Sequence, residues 1–293
     1  MNQHKTIYIV DDDEDDRMLM REALTNALSP INIVDVENGE KLTEYIDNTG
    51  KGPKLILMDM NMPRVNGMEM LAMLKGDVCY RHIPVVMVST TTNQAMINQA
   101  YNLGANAFIV KPATYEEYQQ IALGVGLCFL NNDCPIANSP VPPVLGEKTI
   151  VVVEDSDDHW FLLENALKSS SMNYNVVRIN SKMRALAFAN EELPNFLPAV
   201  DVILVDLYLP QREDGLDLLL DIRQALRVNS LENIPIVVFT YSDSIDDIDE
   251  SYRHQANAYL IKPLNIKRWR FYFENLLGFW SKSIQPAAKR GKK

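Results

Sequence analysis

The chain has 293 residues, 47% of them apolar, enough for two domains with a core each. Its formal charge of -11 and pI near 4.9 disfavour nucleic acid as a partner, because a phosphate backbone needs a basic face. Three cysteines (Cys79, Cys128, Cys134) at no metal spacing, a polar start and no apolar run of about 18 residues lead us to expect a cytoplasmic protein without signal peptide, membrane span or disulfides.

The first element is IYIVDDDEDDR, Ile7 to Arg17. Four apolar residues run into six consecutive acids, Asp11 to Asp16. A block of like charge at the end of a buried strand calls for a cation, or it is a solvated loop. Met18, Leu19, Ala23, Leu24, Ala27 and Leu28 then recur at helical spacing. Further along, LILMDMNMP (Leu55 to Pro63), IPVVMVST (Ile83 to Thr90) and ANAFIVKPA (Ala105 to Ala113) are apolar runs with Asp59, Ser89 and Lys111 at their C-terminal ends. The stretch from Asn131 to Lys148 holds four prolines and no helical or strand period, which reads as a linker.

The same series then begins again. TIVVVEDSDDHWFL (Thr149 to Leu162), VILVDLYLP (Val202 to Pro210), IPIVVFTY (Ile234 to Tyr241) and ANAYLIKPL (Ala256 to Leu264) follow in the same order. Ser89 to Lys111 spans 22 positions, and so does Thr240 to Lys262. The chain is a tandem duplication. We expect domains at 1–131 and 148–282, a linker at 132–147 and a basic, disordered tail at 283–293 that ends in KRGKK. Strands without apolar/polar alternation, each followed by a helical segment, predict a parallel sheet covered on both faces, a doubly wound α/β domain in each copy.

Such sheets bind ligands beyond the carboxyl ends of their strands. Asp11, Asp12, Asp59, Ser89 and Lys111 should therefore converge, as should Glu154, Asp155, Asp206, Thr240 and Lys262. Three carboxylates in one pocket need a compensating cation. Oxygen ligands with neither imidazole nor thiolate suit Mg²⁺ and argue against zinc. Carboxylate, Mg²⁺, lysine and hydroxyl together describe a phosphoryl site in which an aspartate acts as nucleophile. None of His4, His82, His159 and His254 is assigned a role. Asp13 to Asp16 are read as the acidic start of the first helix, where they complement its dipole.

On these blocks both halves resemble the receiver domain of two-component response regulators. The resemblance implies a flavodoxin-like fold, a five-stranded parallel sheet in the order 2-1-3-4-5 in each half. It implies Asp59 and Asp206 as phosphoacceptors, and Asp12 and Asp155 as direct Mg²⁺ ligands assisted through water by Asp11 and Glu154. By the same resemblance the backbone carbonyls of Asn61 and Tyr208 would complete the metal site. The resemblance further implies that Lys111 and Lys262 would contact the phosphoryl group, that Ser89 and Thr240 would be switch hydroxyls, and that Phe108 and Tyr259 would be switch aromatics that turn inward on phosphorylation. The peptides Lys111–Pro112 and Lys262–Pro263 are expected to be cis. The implied partner is a histidine kinase or histidine phosphotransfer protein. The expected output is protein contact, with a homodimer or inter-receiver contact at the face of the fourth and fifth helices, since no DNA-binding or enzymatic output domain is expected.

The alternatives are a phosphate-independent pseudo-receiver scaffold and an aspartate-nucleophile phosphatase. The phosphatase needs a second acid two residues after the nucleophile, where Asn61 and Tyr208 stand. The two copies also differ in the loop after the phosphoacceptor, with 9 positions from Asp206 to Gly215 against 8 from Asp59 to Gly67. Tyr208 is expected to shield an acyl phosphate from water. Six aromatics between Asn265 and Ser281 exceed one helical stripe, so some are expected to face outward.

Overall fold

The structure, a computed structural model, describes residues 5–130, 148–168, 174–196, 200–265 and 268–283, apart from positions 29, 51, 53 and 64. The expected linker at 132–147 and all of the expected tail beyond residue 283 lie outside these residues. The described residues fold into two units. The first takes in the residues up to 130 together with 275–283, and the second runs from 148 to 274.

In the first unit β1 (Thr6–Val10), β2 (Asn32–Val36), β3 (Lys54–Asp59), β4 (Val85–Ser89) and β5 (Ala107–Val110) form one parallel sheet in the order β2-β1-β3-β4-β5. Helices α1 (Glu14–Ala27), α2 (Leu42–Asn48), α3 (Gly67–Gly76), α4 (Gln94–Asn102) and α5 (Tyr115–Leu130) connect and follow the strands. Every residue of β1 and β4 is buried, as a sheet covered on both faces requires. Each large apolar side chain removed from water in this way contributes roughly 1.5–3 kcal/mol.

Helix starts follow local chemistry. Asp13 caps α1 by accepting from the amides of Asp15 and Asp16, at 2.9 and 3.1 Å. Asn66 and Asn93 cap α3 and α4 in the same manner.

The second unit repeats the plan. β6 (Lys148–Val153), β7 (Tyr174–Ile179), β8 (Val200–Val205), β9 (Ile236–Thr240) and β10 (Ala258–Ile261) are ordered β7-β6-β8-β9-β10, the same topology shifted by five strands. Its helices are α6 (Asp157–Lys168), α7 (Lys182–Ala187), α8 (Arg212–Val228), α9 (Ile245–Arg253) and α10 (Trp269–Lys282). The expected doubly wound sheet in the order 2-1-3-4-5 is therefore present twice. The extra residue after Asp206 is taken up helically. Helix α8 begins at Arg212, three residues before Gly215, whereas α3 begins at Gly67 itself.

Two expectations are corrected here. The cis peptide recorded among the described residues is Leu209–Pro210, not a Lys–Pro peptide. The aromatics of α10 do not face outward either. Trp269, Tyr272, Phe273, Phe279 and Trp280 are all buried, and Phe271 is half-buried. Trp269 and Phe273 pack edge-on against Phe239 of β9 in the second unit. Phe279, which belongs to the first unit, meets Phe129 of α5 edge-on with ring centroids 5.8 Å apart. A helix with buried aromatics along more than one side needs more than one apolar stripe.

Candidate functional site

In the first unit the strand ends bring the expected groups together. Asp11 follows β1, Asp59 ends β3, Ser89 ends β4 and Lys111 follows β5. Lys111 Nζ lies 2.9 Å from Asp11 Oδ2 and 3.5 Å from Asp59 Oδ2. Its shortest pairing, 2.7 Å, is with Asp16 Oδ2. Asp11, Asp12 and Asp59 each offer an oxygen, all within 4.8 Å of one another. Burial pushes the Asp11 and Asp59 carboxyls above the usual range, partly opposed by Lys111 and by backbone amides. Lys111 is desolvated too, but its bonds to Asp16 and Asp11 outweigh that and raise it above an ordinary lysine. Such a set, oxygen-only and still short of positive charge, fits a hard divalent cation.

Ser89 is fully buried, and its Oγ accepts from the Thr91 amide at 3.3 Å and from Asn61 Nδ2 at 3.5 Å. The backbone closes the site as well. The Lys111 amide donates to Ser89 O at 2.9 Å, and the Met60 amide donates to Asp59 Oδ1 at 2.8 Å. A small cavity under the lysine is lined by Asp11, Asp16, Asp59, Lys111 and Tyr118. Tyr118 donates to Asp16 Oδ1 at 3.3 Å and is pushed up to about 12, first by burial and then by that acid.

The second unit assembles the corresponding groups differently. Lys262, only 1% exposed, is held 2.5 Å from Glu154 Oε2 and 2.6 Å from Asp206 Oδ2. The rings of Phe239 and Tyr241 flank its ammonium, with centroids at 5.7 and 5.3 Å. Thr240 is buried, and its carbonyl accepts from the Lys262 amide at 2.6 Å. Asp155 does not join the cluster. The groups within 4.8 Å of one another are Glu154, His159 and Asp206. His159 Nδ1 lies 3.2 Å from Glu154 Oε1. The expectation that no imidazole stands in either pocket is therefore wrong for the second. The backbone around Asp155 serves Arg178 instead, which donates to the carbonyls of Glu154 and Asp155 at 3.1 and 3.2 Å.

Tyr208 turns its hydroxyl to Asp247 Oδ2 at 3.1 Å. Arg212 pairs with the same carboxylate, and Ser242 Oγ donates to it at 2.5 Å. Burial raises Asp247, but these three donors outweigh it and hold the carboxyl below the usual range. The result is a polar latch between the loop after Asp206 and the start of α9.

Phe108 and Tyr259, the expected switch aromatics, are both fully buried and so already point inward. Tyr259 donates to Ser242 O at 3.1 Å, and the Phe108 amide donates to the Tyr101 hydroxyl at 3.1 Å.

Four participants were not expected: Asp16, His159, Arg212 and Asp247. Asp16 and His159 occupy one position of the repeat, five residues after Asp11 and Glu154 respectively. That shared spacing is the signal that could have found them, because one helical turn after the cap carries the side chain back over the strand end.

The family model for the response regulator receiver domain matches residues 7–122 and 150–271. The chain belongs to the response regulator receiver domain family. Among curated proteins, response regulator Rcp1 of Synechocystis is 34% identical over 144 residues, covering 48% of this chain and 95% of Rcp1. Chemotaxis protein CheY1 of Helicobacter pylori is 32% identical over 116 residues, covering 38% of this chain and 93% of that protein. Among solved structures, the phosphorylated cyanobacterial phytochrome response regulator RcpA aligns at 37% identity and a TM-score of 0.39, covering 42% of this chain and 91% of its own. The protein is a response regulator with two receiver domains. Among the described residues no helix is long and apolar enough to cross a membrane.

Proposed function

We propose that this tandem receiver accepts phosphoryl groups on Asp59 and Asp206 from a histidine kinase or a histidine phosphotransfer protein. The observation that carries the reading is the lysine–aspartate pairing found twice at equivalent strand ends, Lys111 with Asp59 and Lys262 with Asp206. In each receiver a carboxylate oxygen attacks the donor phosphorus. An acyl-phosphate bond forms as the bond from phosphorus to the donor imidazole breaks, and the donor histidine leaves neutral after taking up a proton.

In the first receiver Asp11, Asp12, Asp59 and the Asn61 carbonyl would hold Mg²⁺. In the second the corresponding groups are Glu154, Asp206 and the Tyr208 carbonyl, with Asp155 outside their cluster. Mg²⁺ supplies charge neutralisation at the phosphoryl oxygens when bound. Lys111 and Lys262 give up part of their carboxylate pairing to meet those oxygens, and Ser89 and Thr240 donate hydroxyl protons to them.

That rearrangement biases the surface near the fourth and fifth helices of each receiver, and the signal leaves as a protein contact. Two hydroxyls at strand ends, beside buried aromatics, support this step. Phosphatase turnover is disfavoured, since neither Asn61 nor Tyr208 is a general acid.

Intact mass after treatment with a small phosphodonor, with Mg²⁺ and Mn²⁺ both present, tests the proposal. Two additions are expected in the wild type, one each in Asp59→Ala and Asp206→Ala, and none in the double variant. A chain that takes no phosphoryl group and binds no divalent cation is a pseudo-receiver scaffold instead.

A further inference from the structure

The two receivers do not offer a cation the same donors. In the first, Asp11, Asp16 and Asp59 surround Lys111 and Asp12 lies beside Asp11 and Asp59, so the pocket keeps a large excess of negative charge and only oxygen donors. In the second, Lys262 is locked between Glu154 and Asp206, and the position equivalent to Asp16 carries His159. Glu154 divides its oxygens, with Oε2 on the lysine and Oε1 toward the imidazole at 3.2 Å. The imidazole is held in place. The His159 amide donates to Ser156 Oγ at 3.3 Å, and the ring lies against Tyr241 with centroids 4.9 Å apart.

We propose that the second receiver binds its divalent cation through Glu154, His159 and Asp206, and that this set prefers first-row transition-metal cations, such as Zn²⁺ or Mn²⁺, to Mg²⁺. The inference rests on the reading that each receiver takes a divalent cation. Two carboxylates shared with one lysine leave little charge for Mg²⁺, whose binding is electrostatic and which dehydrates reluctantly. A nitrogen donor favours first-row transition metals over Mg²⁺, least for Mn²⁺ and more for Zn²⁺. One ligand atom from each of the three residues already lies within 4.8 Å of the others, so modest side-chain shifts suffice to surround an ion. The two receivers would then take up different cations within one chain.

The test is Mn²⁺ titration of the full chain by electron paramagnetic resonance, with Mg²⁺ as competitor. Asp59→Asn silences the first receiver, and Asp206→Asn silences the second. With the first silenced, Mn²⁺ should bind with a directly coordinated nitrogen visible by electron spin-echo modulation. Its preference over Mg²⁺ should exceed that of the first receiver on the order of tenfold or more. His159→Asp, which restores the residue type of Asp16, should remove the nitrogen signal and the extra preference while cation binding remains. His159→Gln serves as a second variant should His159→Asp not fold. Cation binding without nitrogen coupling, or with a preference that His159→Asp leaves unchanged, overturns the inference and spares the reading beneath it. Absence of cation binding at both receivers overturns both.

Discussion

Lys75 shows how a single side chain can carry a pH dependence. It lies near the end of α3, and its Nζ donates to Ile83 O at 2.7 Å, Arg81 O at 3.3 Å and Asn106 Oδ1 at 3.1 Å. Burial pulls its ammonium down to about 7, from an ordinary 10.5. The unfolded chain therefore binds more protons than the folded one between those two values. This contribution to stability should rise as pH increases from about 7 toward 10.5, and it should be flat below 7. Urea denaturation at pH 7 and pH 9.5 measures the slope. Lys75→Met should remove it, and an unchanged slope in that variant assigns the pH dependence to other groups. The second receiver places Arg223 in the equivalent role, donating to Gln255 O and Asn257 Oδ1. A guanidinium does not titrate in this range, so the second receiver should lack this slope.

At the scale of elements, the loop after each phosphoacceptor is possible only because a glycine follows it. A Cβ on Gly67 would stand 2.1 Å from the Asp59 carbonyl oxygen, and one on Gly215 would stand 1.9 Å from that of Leu207. Both obstacles are backbone and cannot swing aside. Gly67→Ala should push the Asp59–Met60 backbone out of place, at a cost of about 1–3 kcal/mol. Phosphoryl addition at Asp59 should fall with it, while Asp206 keeps its own. Intact mass and urea denaturation read the two effects, and wild-type phosphorylation of Asp59 in Gly67→Ala would refute the crowding argument. The longer loop of the second receiver solves the same problem differently. Its extra residue becomes part of the first turn of α8, which puts Arg212 within reach of Asp247.

At the scale of the whole molecule, two copies of one chemistry sit in unequal surroundings. Tyr208 is 44% exposed and is tethered through its hydroxyl to Asp247, whereas the first receiver has Asn61 at that place. A ring tethered in the loop after Asp206 is expected to shield an acyl phosphate there from water. The phosphorylated Asp59→Ala variant should therefore lose its label several-fold more slowly than phosphorylated Asp206→Ala, and Tyr208→Asn should remove the difference. Equal decay rates would show that the latch does not govern hydrolysis.

The duplication, the parallel sheets and the placing of Asp11, Asp59, Ser89, Lys111 and their counterparts at strand ends were legible in the sequence. Buried strands carry an unbroken apolar signature, and the residue that ends such a run has one place to go in a doubly wound sheet. Side chains reached across space were not legible. Asp16 and His159 belong to the pockets because the first turn of a helix folds back over the strand end, and the chain order shows only an acidic helix start. Asp247 lies 41 residues from Asp206 and joins the site only because α9 packs beside the loop after β8. Outward-facing aromatics on α10 were expected because one stripe was assumed, whereas Trp269 and Phe279 each find their own neighbours. Local pattern sets which elements form and where they end. Which distant side chain completes a pocket is decided by packing, because that depends on distances the linear order does not contain.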